Sequence, residues 1–167
     1  MNKTTIITGI LATLAIAGLL FWGRTNGAFT GPQSGISSGA AVLTAEKNFY
    51  DFGVISMKNG VVSATFNVSN KTSADVLVTD IVTSCMCTAA YVVGEGEKIG
   101  PFGMPGHGGP APKANVTIPA GGSKTIEVQF DPNAHGPSGV GLIQRVVSLT
   151  ESGGGTLELG IKANVTP

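Results

Sequence analysis

Residues 157–165 read Leu-Glu-Leu-Gly-Ile-Lys-Ala-Asn-Val, so Leu157, Leu159, Ile161, Ala163 and Val165 alternate with Glu158, Gly160, Lys162 and Asn164. Successive side chains of a strand point to opposite faces, which gives this stretch one dry face and one wet face. The same period of two recurs in Val62, Ala64, Phe66 and Val68, and again in Ile126, Val128 and Phe130. β-Branched residues are dense in all three stretches, as strands prefer. The pattern predicts further strands over 48–54, 76–83, 114–118 and 141–150. Turn signals separate them: Lys58-Asn59-Gly60, residues 70–75, Ala120-Gly121-Gly122, residues 131–139 and residues 152–155. No stretch after residue 45 carries a helical apolar stripe of useful length. About seven short strands in roughly 120 residues predict an all-β, immunoglobulin-like β-sandwich. A Cys…Trp…Cys core signature is missing, so the domain is not of the antibody type.

Ahead of these strands, residues 4–23 read TTIITGILATLAIAGLLFWG without a charge. As a helix rising about 1.5 Å per residue they would span roughly 30 Å, one hydrocarbon core. Lys3 precedes the run and Trp22 sits near its far end, where an amphipathic ring suits the interface. The run is longer than the apolar core of a cleaved signal peptide, and Asn26 stands where a small residue is wanted for cleavage. Residues 1–23 therefore read as a membrane anchor, with a signal segment as the alternative. Both place the rest of the chain outside the cytoplasm, periplasmic or extracellular. Residues 24–45, rich in Gly, Ser and Ala, read as a flexible linker, and residues 46–167 as one folded domain.

Composition narrows the partners. Only 12% of the residues are charged and the formal net charge is zero, so a broad electrostatic grip on nucleic acid is excluded. Lys and Arg are unclustered, so the membrane is engaged through residues 4–23 and not through a basic patch. Two cysteines are too few for a disulfide-built scaffold.

Four motifs occur in order: Tyr50-Asp51-Phe52-Gly53, Ser84-Cys85-Met86-Cys87-Thr88, Ile118-Pro119-Ala120-Gly121-Gly122 and Val128-Gln129-Phe130-Asp131-Pro132. In this order they resemble the bacterial family known as "domain of unknown function 1573", over about residues 46–166. The resemblance implies an Ig-like sandwich similar to Hydin-type and periplasmic-chaperone domains, and an exported bacterial protein. It implies no activity and carries over no catalytic residue. The chain departs from the family pattern by a long insert, Gly94–Lys113.

Cys85-Met86-Cys87 is the most pointed local feature. In an extended strand the two Cα atoms would stand roughly 6.5–7 Å apart, so a bridge between them needs a local bend. The pair is a disulfide, a soft-metal clamp or two free thiols packed as small hydrophobes. Met104 and His107 lie in the Gly/Pro-rich insert, and His135 lies in the turn 131–139. Thiolate, thioether and imidazole are the donors copper favours, so Cys85, Cys87, Met104, His107 and His135 form the candidate metal set. No Lys, Arg or His stands close to the cysteines in sequence to activate them. Asp51, Asp80 and Asp131 read as turn caps, and no nucleophile or phosphate-loop motif is present.

The expectation is a membrane-anchored extracytoplasmic module, not an enzyme, that binds a protein or envelope partner. The insert 94–113 is its expected contact surface and is expected to be dispensable for folding. Copper handling and thiol–disulfide chemistry at Cys85 and Cys87 are the alternatives.

Overall fold

The computed structural model describes residues 40–94, 96–106 and 113–167. The anchor assigned to residues 4–23 and most of the linker lie outside the described residues. Among those described, no helix is long and apolar enough to cross a membrane.

Among the described residues ten strands run in chain order: β1 (Leu43–Ala45), β2 (Phe49–Ser56), β3 (Val62–Asn70), β4 (Val76–Thr83), β5 (Thr88–Val93), β6 (Lys98–Phe102), β7 (Lys113–Ile118), β8 (Ser123–Phe130), β9 (Gly141–Glu151) and β10 (Thr156–Thr166). They form two five-stranded sheets, ordered β1-β3-β8-β5-β6 and β2-β10-β9-β4-β7. The all-β expectation holds, with more strands than the alternation revealed. Leu159, Ile161, Ala163 and Val165 of β10 are buried and face Phe66, Val68, Ile126 and Val128 in a shared core.

The pairs are antiparallel except β2, which runs parallel to β10. Their register slips between Lys162 and Asn164, where β2 carries an extra residue. Gly53, at φ +68°, supplies the backbone that this bulge requires. Asp51 caps it by accepting the Gly53 N–H at 2.8 Å. That bond, followed by Lys162, holds the Asp51 carboxyl below its ordinary pKa. Asp80 is not a turn cap as read: it pairs with Lys113 across β4 and β7 at 2.7 Å, which lowers its pKa.

Three strands escaped the sequence reading. β5 reads Thr-Ala-Ala-Tyr-Val-Val and lacks the polar alternate residue that marks a one-sided strand. β1 lies inside the stretch read as linker, yet Leu43 is buried and pairs with Asn70. β6 lies inside the insert. Gly and Pro made it read as loop, but an edge strand tolerates Pro because half its N–H groups need no partner. β6 pairs with β5 and sinks Phe102 into the core. The expectation that the insert is dispensable for folding is therefore overturned.

Candidate functional site: a cysteine pair at one end of the sandwich

The chain leaves β4 and enters β5 through a turn that carries both cysteines. Thr83, buried at the end of β4, shares its hydroxyl proton between the carbonyls of Cys85 (2.9 Å) and Thr88 (3.1 Å). The Thr88 N–H also reaches the Cys85 carbonyl at 3.1 Å. This closes the turn and brings the two cysteine Cα atoms to 5.3 Å, inside the range a disulfide needs. Cys85 and Cys87 are bonded to each other. The extended-strand spacing fails here because these residues belong to a turn.

Two neighbours hold the turn in place. Ser84 donates its N–H to the Val146 carbonyl, and its Oγ accepts the Val146 N–H, each at 2.9 Å, which ties the turn to β9. The Asp131 N–H donates to the Cys87 carbonyl at 2.9 Å, which ties it to the loop after β8. That loop is itself fixed. The Asp131 carboxylate accepts the Asn133 N–H at 2.8 Å, and the Asn133 side chain donates to the Met57 carbonyl at 2.8 Å. Ser138 donates to the His135 carbonyl at 2.7 Å.

The pinned loop delivers His135 to the sulfurs: its Nε2 stands 3.1 Å from Cys85 Sγ. From β9, Arg145 donates Nε–H to Cys87 Sγ at 3.3 Å. The Cys87 N–H points at Cys85 Sγ at 3.3 Å. Both cysteines are buried, while His135 is exposed. One ligand atom each from Cys85, Cys87 and His135 fall within 4.8 Å of one another, close enough to hold a metal ion.

Of the five candidate ligands, the fold unites three. Met104 lies on the loop that follows β6, beside Gly103, whose carbonyl accepts the Thr83 N–H at 3.2 Å. This sets the backbone next to Met104 beside the end of β4. His107 lies outside the described residues. Arg145 was missed. It stands 58 residues from Cys87, and an isolated Arg in an alternating strand gives no local signal of its target. The reading that no cation neighbours the cysteines held along the chain and failed in space.

The molecule is thus a two-sheet sandwich that presents a cysteine pair at one end, against an imidazole and a guanidinium. Residues 43–100 match a family described as "Protein of unknown function (DUF1573)". The tyrosine–glycine and cysteine motifs fall inside that match, and the other two fall beyond it. No curated protein matches the chain. A crystal structure of a protein of unknown function from Porphyromonas gingivalis W83 is similar at 14% identity and TM-score 0.54, covering 78% of this chain and 50% of that one. The YadV chaperone is similar at 10% identity and TM-score 0.47, over 76% of this chain and 53% of its own. The ASH/PapD-like domain 7 of human CEP192 aligns at 11% identity and TM-score 0.42, over 81% of this chain and 92% of its own. The chain spans only about half the length of the first two.

Proposed function

We propose that this chain is an extracytoplasmic Ig-like binding module of the bacterial envelope, held at the membrane by residues 4–23. It engages a protein partner through the end of the sandwich that carries Cys85 and Cys87, and this pair is its redox-active element. It acts as a stoichiometric partner and not as an enzyme. One observation carries the reading: each sulfur meets a nitrogen delivered from a distant segment, His135 Nε2 at 3.1 Å from Cys85 Sγ and the Arg145 guanidinium donating to Cys87 Sγ. Cationic and imidazole neighbours stabilise thiolates, and the thiolate is the reactive form in exchange. A bridge that only stapled the fold would gain little here, because entropic stabilisation grows with the size of the closed loop and this one skips a single residue.

The test is reversible titration of the native, detergent-solubilised chain in glutathione buffers, read by maleimide labelling. The expected result is a two-electron transition between no free thiol and two, abolished in the Cys85→Ser/Cys87→Ser variant. A pair that stays closed in native protein under excess dithiothreitol would remove the reading.

The convergence of three donor atoms supports a second reading, copper(I) binding by the reduced pair with His135. Met104 and His107 remain candidates to complete the ligand set. Reduced protein is then expected to bind one equivalent of copper(I) against a chromophoric chelator, and the double serine variant none. No uptake by the reduced wild type would exclude it.

A further inference from the structure

The outer face of the sheet β1-β3-β8-β5-β6 carries a slot of about 160 Å³ beside the cysteine turn. Register sets its floor. Gln129 of β8 pairs with Ala89 of β5, and both alternate with the buried Val128 and Ala90, so they point away from the core. Ala89 has only a methyl group, which leaves the floor low. Val61, just before β3, and Met86, between the cysteines, supply apolar walls that are 56% and 53% exposed. Cys87, Thr88 and Asp131 complete the lining. A volume of this size takes one large apolar side chain, whereas sites for small molecules and cofactors start at about 300 Å³. Val61 and Met86 give such a side chain apolar contact, and Gln129 and Asp131 put polar groups beside it.

The point at which the chain enters the domain bears on what reaches the slot. β3 is nine residues long, a span of roughly 27 Å. Its first residue, Val62, pairs with Phe130, which pairs in turn with Thr88 beside Cys87. Its last residue, Asn70, pairs with Leu43, close to where the described chain begins. Residues 1–39 therefore join the sandwich at the pole opposite the slot. A lipid surface holding residues 4–23 would meet the slot only if the domain turned over on its tether. We propose that the slot receives one large apolar side chain, Leu, Ile, Met or Phe, from a segment of an extracytoplasmic protein partner. This rests on the reading that a partner meets the cysteine end, and it requires no exchange at the sulfurs. A single apolar anchor seated in a pocket, with polar groups around it, supplies most of the affinity of a small interface.

The probe is a phage-displayed library of random, cysteine-free dodecapeptides, selected on the full chain in vesicles of phosphatidylethanolamine and phosphatidylglycerol and counter-selected on empty vesicles. The expected result is enrichment of peptides that share one Leu, Ile, Met or Phe and lose binding when that residue becomes Ser. Ala89→Phe fills the slot from the outer face, and Val61→Ser and Met86→Ser take away its apolar walls without touching the core. Each should weaken the enriched peptides about tenfold or more, the worth of burying one apolar side chain. Leu77→Ser, an exposed site on β4 at the opposite pole, should leave them unchanged. The two wall variants alter exposed residues, so the test does not depend on Ala89→Phe folding. Binding that survives all three substitutions would overturn the slot and leave a partner at the cysteine end standing; no enriched peptide would overturn both. With p-benzoylphenylalanine placed at Met86, irradiation should join the chain to the peptide at its apolar residue. Adducts to lipid or to a second copy instead would overturn the proposal. Thiol titration of the cysteine pair is read separately, so the redox element stands or falls on its own.

Discussion

Truncating Phe102 to Ala is expected to cost the domain about 3–5 kcal/mol, the range for removing a buried aromatic ring from a core. Phe102 ends β6 with 2% of its surface exposed, and its backbone pairs with Ala90 of β5. Ala90 is itself fully buried, so the lost ring leaves a hole lined by groups that cannot move outward to fill it. A residue in a dispensable loop would change stability by no more than about 0.5 kcal/mol. Urea unfolding followed by circular dichroism separates the two outcomes. With a slope of about 1–3 kcal/mol per molar for a domain of this size, the midpoint should fall by a molar unit or more. A change under about 1 kcal/mol would mean that β6 is not part of the cooperative unit. The consequence for function is direct. β6 flanks β5, β5 begins at Thr88 next to the cysteine turn, and a loosened β5 loosens the turn that holds the two sulfurs together.

Replacing Glu151 by Ala is expected to destabilise the domain by about 1–3 kcal/mol, because it orphans the buried Leu43 N–H and takes the acceptor from the half-exposed Val42 N–H. Glu151 closes β9 and is 4% exposed. Its Oε1 accepts the N–H groups of Val42 (3.0 Å) and Leu43 (2.9 Å), and its Oε2 accepts Val42 again at 3.1 Å. One carboxylate thus fastens the start of β1 to a strand more than a hundred residues away in sequence. Gly155 makes the room: a Cβ there would stand 2.8 Å from both Ala41 Cα and Glu151 Oε2. In the variant, amide exchange at Leu43 should rise well before global unfolding, since β1 has only three residues and one paired neighbour. Glu151→Gln keeps one acceptor oxygen and should fall between the two. A cost below about 0.5 kcal/mol for the Ala variant, with Leu43 still protected, would show that β1 is held by its pairing to β3 alone.

Both results turn on residues whose roles were hidden in the sequence, for different reasons. Phe102 sits among Gly100, Pro101 and Gly103, and turn-forming neighbours outvote a single aromatic in any local reading. Glu151 sits at the end of an apolar strand, where an acid ordinarily marks the exit to solvent. Its burial is decided by the two amides of another strand. The candidate site divides in the same way. The cysteine spacing was plain, and His135 was singled out along with it. The bend that joins the sulfurs was not plain, because it is made by Thr83, Ser84 and the neighbouring backbone of β9.

The order of residues alone determined that this chain is a β protein. Alternation in β3, β8 and β10 follows from the two-residue repeat of an extended backbone, and no partner is needed to read it. It also determined the chemistry on offer, two thiols and a few imidazole and thioether groups. The three-dimensional arrangement alone decided which of these groups meet. Arg145 and Cys87 lie 58 positions apart, and Cys85 and His135 lie 50 apart. Sheet pairing sets those encounters, and pairing is a property of the whole core and not of any single stretch of chain.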